Sequence, residues 1–560
     1  MAEAKKELIT DTKNDNFTLQ APEKKLYRTF IYFSIVALLI GGLMGLLQTI
    51  MRAGDFTLPF GIGYYQILTV HGVILALVMT TFFIIGFQFA LMGKSVGISA
   101  KQLKWGWISF WIMAIGTIIT TIMILLGESS VLYTFYTPLK AHPLFYIGLA
   151  LVIIGSWISA FVNFRQLYVW KKAHPGEKSP LFAFMVVINM AMWVIASLGV
   201  AISVVALIIP WSLGMTATIN VLVTRTLFWY FGHPLVYFWL LPAYMAWYAI
   251  IPKIIGGRIF SDSLARMAFI LLIFFSIPVG FHHQLTEPGI DPTWKFVQVV
   301  LTFMVVIPTL MTAFSLFATF EVTGRKKGYK GLFGWLRHLP WKDVRFLAPF
   351  IGMLAFIPGG AGGIINASHQ MNAVVHNTIW VTGHFHLTIA TVVMMTFFGI
   401  GFWLIPHLSG RTLTKSMNKL GIVQTILWTV GMLFMSGSMH IQGLLGGPRR
   451  SDFSTYGGTE QAQTWINYQL FQAIGGTILF IAIILLVYIY VKLAFFTPKG
   501  TEEFPVGEEE PDAQPTPKFF ENWYLWIGIT IALILFAYTI PFIDIINNSP
   551  PGSPPFPNLI

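Results

Sequence analysis

Thirteen apolar stretches, each long enough to cross the hydrocarbon core of a bilayer, follow one another along this 560-residue chain with only short polar breaks. They run over residues 27–50, 66–92, 105–126, 142–170, 181–210, 226–251, 264–283, 294–320, 346–366, 376–405, 418–440, 464–496 and 521–546. Hydrocarbon offers the backbone no water, so every N–H and C=O must be satisfied inside the protein, and a helix does this within one segment. The mean hydropathy of +0.71 and a charged fraction of 10% lie far outside globular usage. The expected fold is therefore an all-α polytopic membrane protein with about 13 transmembrane helices embedded in a lipid bilayer.

The polar segments set the orientation. Residues 1–26 carry Lys5, Lys6, Lys13, Lys24 and Lys25, with neither an apolar run nor a small-residue cleavage site, so a removable signal peptide is not expected and the N-terminus stays cytoplasmic. If the spans alternate from there, 29 of the 35 Lys and Arg residues fall in inner segments. Only Arg52, Lys140, Arg225, Lys295, Arg449 and Arg450 fall outside, the asymmetry that cytoplasmic loops show, and the C-terminus emerges on the outer side. The net charge of +12 is thus mostly topology, and charges dispersed over short loops argue against a nucleic-acid partner. The chain divides into a cytoplasmic tail (1–26), a twelve-helix core (27–496), an acidic Pro-containing cytoplasmic loop (497–520), a thirteenth helix (521–546) and a Pro-rich outer tail (547–560) extended toward a partner subunit. No internal repeat is evident.

Cysteine is absent, which excludes disulfides, thiolate copper and iron–sulfur clusters. Histidine instead recurs deep inside the apolar stretches, at His71, His233, His282, His283, His384 and His386. A single buried histidine is most simply a hydrogen-bonded core residue. Six are another matter, because with alternating spans and a helical rise of about 1.5 Å per residue they share one level, roughly 8–15 Å below the outer surface. Residues two apart on a helix differ by about 200°, so His384 and His386 face opposite ways and one helix serves two sites. An imidazole on each side suits two hemes, with His71 the second axial ligand of one and an open position left on the other. His233, His282 and His283 remain, and three neutral imidazoles suit copper facing that open iron. Tyr237 follows His233 by four residues and shares its helical face.

At these residues the chain resembles a known family. Trp229-Tyr-Phe-Gly-His-Pro-Leu-Val-Tyr237, the His282-His283 doublet and Gly383-His-Phe-His386 are similar to the signatures of heme-copper oxidase subunit I. The likeness is to the type B (ba3-like) branch, since Leu235 stands where the A branch carries a proton-channel glutamate and thirteen spans replace twelve. The resemblance implies that His71 and His386 ligate a low-spin heme, of b type, that His384 ligates a high-spin heme of a or o type, and that His233, His282 and His283 hold a copper, CuB. It implies further that Tyr237 is covalently joined to His233. The implied reaction is the four-electron reduction of dioxygen to water, coupled to proton uptake from the cytoplasm and to pumping. Electrons would come from cytochrome c through a CuA centre on a separate subunit II, with a further small membrane subunit, in a bacterial or archaeal cell membrane.

Protons need a wettable path. Tyr237, Tyr244 and Tyr248 stand at helical spacing on one face of the sixth span, as Thr309, Thr312 and Ser315 do on the eighth, and the two rows resemble the single K-type channel of type B enzymes. Arg449 and Arg450 pair near the outer heme level, where propionates are their natural partners, with His376 and Asn372 in the same region. Relatives often carry aspartate at the position of Asn372, and asparagine cannot titrate. Pro358-Gly-Gly-Ala-Gly-Gly363 lacks the Lys-Ser/Thr ending of a phosphate loop and reads as small residues for close contact. His142, His174, His338, His369, His407 and His440, at span ends or in loops, receive no metal role. Nitric oxide reductase is the nearest rival, but that branch places glutamates where this chain has Tyr237; a quinol oxidase differs only in its donor. A transporter with a structural metal would not need His384 and His386 on opposite faces.

Overall fold

The computed structural model describes residues 17–510 and 515–556. Lys5, Lys6 and Lys13 of the expected tail lie outside the described residues. Helix starts at Ala21, so Lys24 and Lys25 sit on the first turns of a span rather than in a tail.

All thirteen expected stretches are helical. In chain order they are α1 (Ala21–Ala53), α2 (Tyr64–Val96), α3 (Ala100–Leu125), α4 (Pro143–Ala173), α5 (Leu181–Ser212), α6 (Val221–Ile255), α7 (Asp262–Ser276), α8 (Pro292–Lys326), α9 (Val344–Ala367), α10 (Ile379–Ser409), α11 (Lys415–Leu444), α12 (Glu460–Phe495) and α13 (Trp523–Asn548). Among the described residues twelve of these are long and apolar enough to cross a membrane; α7 is the exception, at 15 residues. The expected span 264–283 is interrupted at Pro278, which has no N–H to continue the helical hydrogen bonding. Its last part is an irregular stretch followed by a single 3-10 turn, Phe281–His283.

The helices form nested layers. The most apolar windows of α6, α10 and α2 are 89%, 83% and 67% buried within the protein, whereas that of α13 is 28%, so the first three are the inner helices and α13 lies at the periphery. Glycines let the outer pairs approach backbone to backbone: a Cβ on Gly116 of α3 would lie 2.5 Å from Gly148 O of α4, and one on Gly475 of α12 would lie 2.7 Å from Met435 N of α11. Two inner helices carry short π-helical segments, Val73–Met79 and Thr388–Val393, each beginning two residues after a candidate heme ligand, His71 or His386. Such widened turns occur mostly at functional sites, where they re-aim side chains.

The acidic segment after α12 is a strap rather than a free loop. Glu502, Glu503, Glu508, Glu509 and Glu510 pair with Arg345, Lys253, Arg258, Lys178 and Lys326, tying together the ends of helices that carry the basic loops. At the opposite end, the Pro-rich tail folds against this chain's own loops, with bridges from Ser553 to Ile219 and from Phe556 to Leu139.

Candidate active site

Three side chains converge in the centre. His233 comes from the middle of α6, and His282 and His283 from the 3-10 turn after α7; one ring nitrogen from each lies within 4.8 Å of the others. His233 Nδ1 is 3.3 Å from His283 Nε2. Their surroundings fix the rings: Trp229, one turn before His233, stacks on His283 at 3.9 Å and 10°, and Thr302 of α8 lies 3.1 Å from His282 Nδ1. The Thr302 hydroxyl donates to Gln298 O at 2.6 Å, so it accepts from His282 Nδ1–H and leaves Nε2 of that ring free for a metal. Among the described residues no carboxylate joins the group, and three neutral imidazoles are a donor set suited to copper. Tyr237 stands edge-on to His233, ring centroids 4.8 Å apart at 64°.

His71 and His386 face each other across a gap. Their rings are 6.4 Å apart and within 11° of parallel, and each Nδ1 is held by a backbone carbonyl, Gly41 O at 2.9 Å and Thr382 O at 2.8 Å. Each Nε2 is thereby free to point inward. Two imidazoles that each place a nitrogen about 2 Å from one shared metal ion acquire this separation. The same cavity is lined by Gln48, Arg52, Tyr133, Arg449 and Arg450. Gly45 makes room for the ligand, since a Cβ there would lie 2.8 Å from the His71 ring.

His384 leaves α10 toward α9, where Gly362 abuts it so closely that a Cβ would come 2.5 Å from Nδ1. Trp380 lies parallel to it at 5.8 Å and 9°. His384 Nδ1 is buried without a hydrogen-bond partner. The gap between His71 and His386 fits a flat macrocycle.

Around the outer rim, Arg449 bonds Asn377 Oδ1 at 2.8 Å and Arg450 lies over the Tyr133 and Tyr136 rings at 5.7 and 5.4 Å. Arg449 Nε and Arg450 Nη2 are buried without a partner, as expected of groups that hold an anion. Burial, and then Arg450 beside it, lowers Arg449 to about 10. Asn372 donates to Asn366 O at 2.7 Å, so its Oδ1 accepts from His376 Nδ1 at 3.2 Å. Burial, followed by Arg449 and Arg225, pushes His376 down to about 4, which keeps it neutral at pH 7. Arg52, with buried Nε and Nη2 also unpartnered, went unassigned from sequence although it breaks the loop-charge asymmetry in the same way as Arg449 and Arg450.

The two hydroxyl rows meet. Thr309 lies beside the Tyr244 hydroxyl, and Thr312 and Ser315 beside that of Tyr248, without closing a hydrogen bond of good geometry. Tyr244 and Tyr248 are 1% and 0% exposed, and both hydroxyls lack a protein partner. Thr312 meanwhile donates to Pro308 O in its own helix at 3.1 Å. Among the other histidines, His142 caps α4, His174 stacks on Trp170 and His407 bonds Glu502 O, all structural contacts.

The family described as cytochrome c and quinol oxidase polypeptide I matches residues 25–478. This chain belongs to that family. Cytochrome c oxidase subunit 1 of Thermus thermophilus is 40% identical over 537 residues, 92% of this chain and 94% of the relative. A quinol oxidase subunit 1 from Bacillus spizizenii is 26% identical over 506 residues, 85% of this chain and 72% of the relative. Among solved structures, one chain of a heme-copper terminal oxidase dimer superposes with a TM-score of 0.90 at 34% identity, covering 97% of this chain and 96% of that one. The oxidase polypeptide is thus a catalytic subunit I of the heme-copper type, on the type B branch, and an oxidoreductase of the respiratory chain. The family binds hemes and copper, and a polypeptide I works with other subunits.

Proposed function

We propose that this subunit reduces dioxygen to water with electrons from cytochrome c, received through a CuA centre on a separate subunit II, and couples the reaction to proton uptake and pumping. One observation carries the reading: on α10, His386 shares a cavity with His71, their rings near parallel, while His384, two residues earlier, lies outside that cavity against Gly362 of α9. On this reading His71 and His386 hold a low-spin heme of b type, His384 a high-spin heme of a or o type, and His233, His282 and His283 hold CuB. When bound, these groups supply electron transfer and the reduction of oxygen.

The chain's own residues supply position, insulation and protons. The carbonyls of Gly41 and Thr382 fix two rings as Nδ1–H, and Thr302 does the same for His282. His233 turns Nδ1 toward His283 and leaves Nε2 buried and unpartnered, so Nε2 is the atom free to join Tyr237. The Tyr237 hydroxyl, on the ring packed against His233, is the proton donor to the site. Tyr248, Tyr244, Thr309, Thr312 and Ser315 form the path that feeds it, the unpartnered hydroxyls of Tyr244, Tyr248 and Ser315 suited to ordered water. Arg449, Arg450, His376 and Asn372 gather the propionates at the rim. With Asn372 unable to titrate, a proton held there belongs to His376. The basic-loop end faces the cytoplasm of a bacterial or archaeal cell, and a small membrane subunit completes the assembly.

Purified enzyme tests this directly. We expect a reduced-minus-oxidised spectrum with two heme components, and oxygen consumption with reduced cytochrome c. Folded enzyme without heme bands refutes the reading, and turnover with quinol alone reassigns the donor.

A further inference from the structure

The segment bearing His282 and His283 sets a problem that the regular helices do not. α7 stops at Ser276, and the chain continues as irregular backbone and one 3-10 turn at the level of the other histidines. Irregular backbone at membrane depth is tolerated only where protein buries it and satisfies its polar groups. Here the hydrogen bonds to its amides, and part of its burial, come from helices that carry none of the three histidines. Gln298 of α8, fully buried, accepts from the amides of Gly280 and Phe281 at 2.8 Å each through Oε1 and donates to Ala537 O of α13 at 3.2 Å through Nε2. The next residue of α13, Tyr538, packs edge-on against Phe281 at 5.4 Å and against Tyr230 of α6 at 5.1 Å, its hydroxyl buried beside Gln298. Gly280 is a glycine because a Cβ would lie 2.6 Å from Tyr538 Oη and 2.8 Å from Trp229 O. Phe281, Ile290, Ala537, Tyr538 and Ile545 make an apolar cluster separate from the main core. The far end of α13 is anchored as well: Glu521, just before it, pairs with Arg266 of α7 at 3.3 Å.

We infer that α13 is a positioning element for the copper-binding loop. Ala537 and Tyr538, acting through Gln298, hold the backbone of Gly280 and Phe281 and so aim the two imidazoles that follow. A peripheral helix that contributes no ligand thereby helps determine metal affinity. The inference rests on reading the triad as a copper site.

The test uses the full oxidase and two readouts besides turnover: the infrared band of carbon monoxide bound at the copper, followed as a chelator strips the metal, and the low-spin heme spectrum. Loss of outer support to metal ligands weakens binding by about tenfold or more. Gln298→Leu and Tyr538→Leu are expected to lose the band at about tenfold lower chelator, with the low-spin spectrum unchanged. Tyr538→Phe, which keeps the ring, behaves as wild type. Trp526→Ala, which loosens α13 at its other end against Phe274, also keeps its copper. Should Gln298→Leu fail to assemble, the Tyr538→Leu and Tyr538→Phe pair carries the same comparison. Wild-type resistance in Tyr538→Leu or in assembled Gln298→Leu, or equal loss in Trp526→Ala, overturns the inference while leaving the copper site intact. A wild-type enzyme with no copper band instead removes the reading beneath it.

Discussion

His282 has a single polar contact that sets its tautomer, the Thr302 hydroxyl at 3.1 Å. Thr302→Val keeps the shape and removes the acceptor, a loss of about 1 kcal/mol, and we expect weaker copper retention in metal analysis while both heme spectra persist. Tyr237 is different, because its phenol ring stands edge-on to the His233 ring at 4.8 Å. Tyr237→Phe is expected to reduce oxygen consumption at least about a hundredfold, the scale of a lost proton donor, and a mass-spectrometric search for the joined His233–Tyr237 peptide in wild type checks the link itself. At the rim, Asn372→Asp places a carboxylate on the Nδ1–H side of His376. A histidine held near 4 by burial and by arginines then gains a counter-charge, so its protonation moves upward. Infrared difference spectra of the imidazole between pH 4 and 8 show this as a rising midpoint, with more protons released per electron. As it stands, His376 opposes acid: its folded pKa lies below the free value, so the native state loses stability as pH falls from about 6.5 toward 4.

At the level of elements, α6 and α8 make the proton path only together. Each row was legible as a helical period, yet the Thr and Ser residues read equally well as groups bonded to their own helix, and Thr312 does donate to Pro308 O. What changes the balance is the packing of α8 on α6, which buries Tyr244, Tyr248 and Ser315 with hydroxyls that have no protein partner. Thr312→Val and Tyr248→Phe are each expected to slow oxygen turnover by about tenfold or more without altering heme spectra. Unchanged turnover in both removes the path. The glycine run of α9 carries a similar lesson, since its composition alone predicted close contact but not that Gly362 lies under His384.

For the whole molecule, the buried charges tie the periphery to the core. Arg266, with no exposed surface, bonds Asp262, Glu521 and Ser179 O, linking α7, α13 and the α4–α5 loop. Removing it leaves Asp262 and Glu521 with Lys178 and Lys171 as their remaining cationic partners, so Arg266→Ala is expected to cost about 3 kcal/mol, seen as a lower thermal unfolding midpoint. The helical bundle was readable from sequence because hydrocarbon imposes strict length, polarity and hydrogen-bonding demands on each segment separately, and helical periodicity pointed to histidines that the structure brings together, His233 with His282 and His283, and His71 with His386. Three things were not readable: the early end of α7, the acidic strap clamped by five ion pairs, and the support that Gln298, Thr302 and Tyr538 give the metal-binding turn. Each depends on contacts between residues far apart in the chain, and such contacts leave no periodic trace along it. Sequence alone determined the helical bundle and which buried histidines to look for, through local rules of burial and helical geometry; only the tertiary structure decided which of them come together and how they are held, because that is settled by which side chains happen to meet.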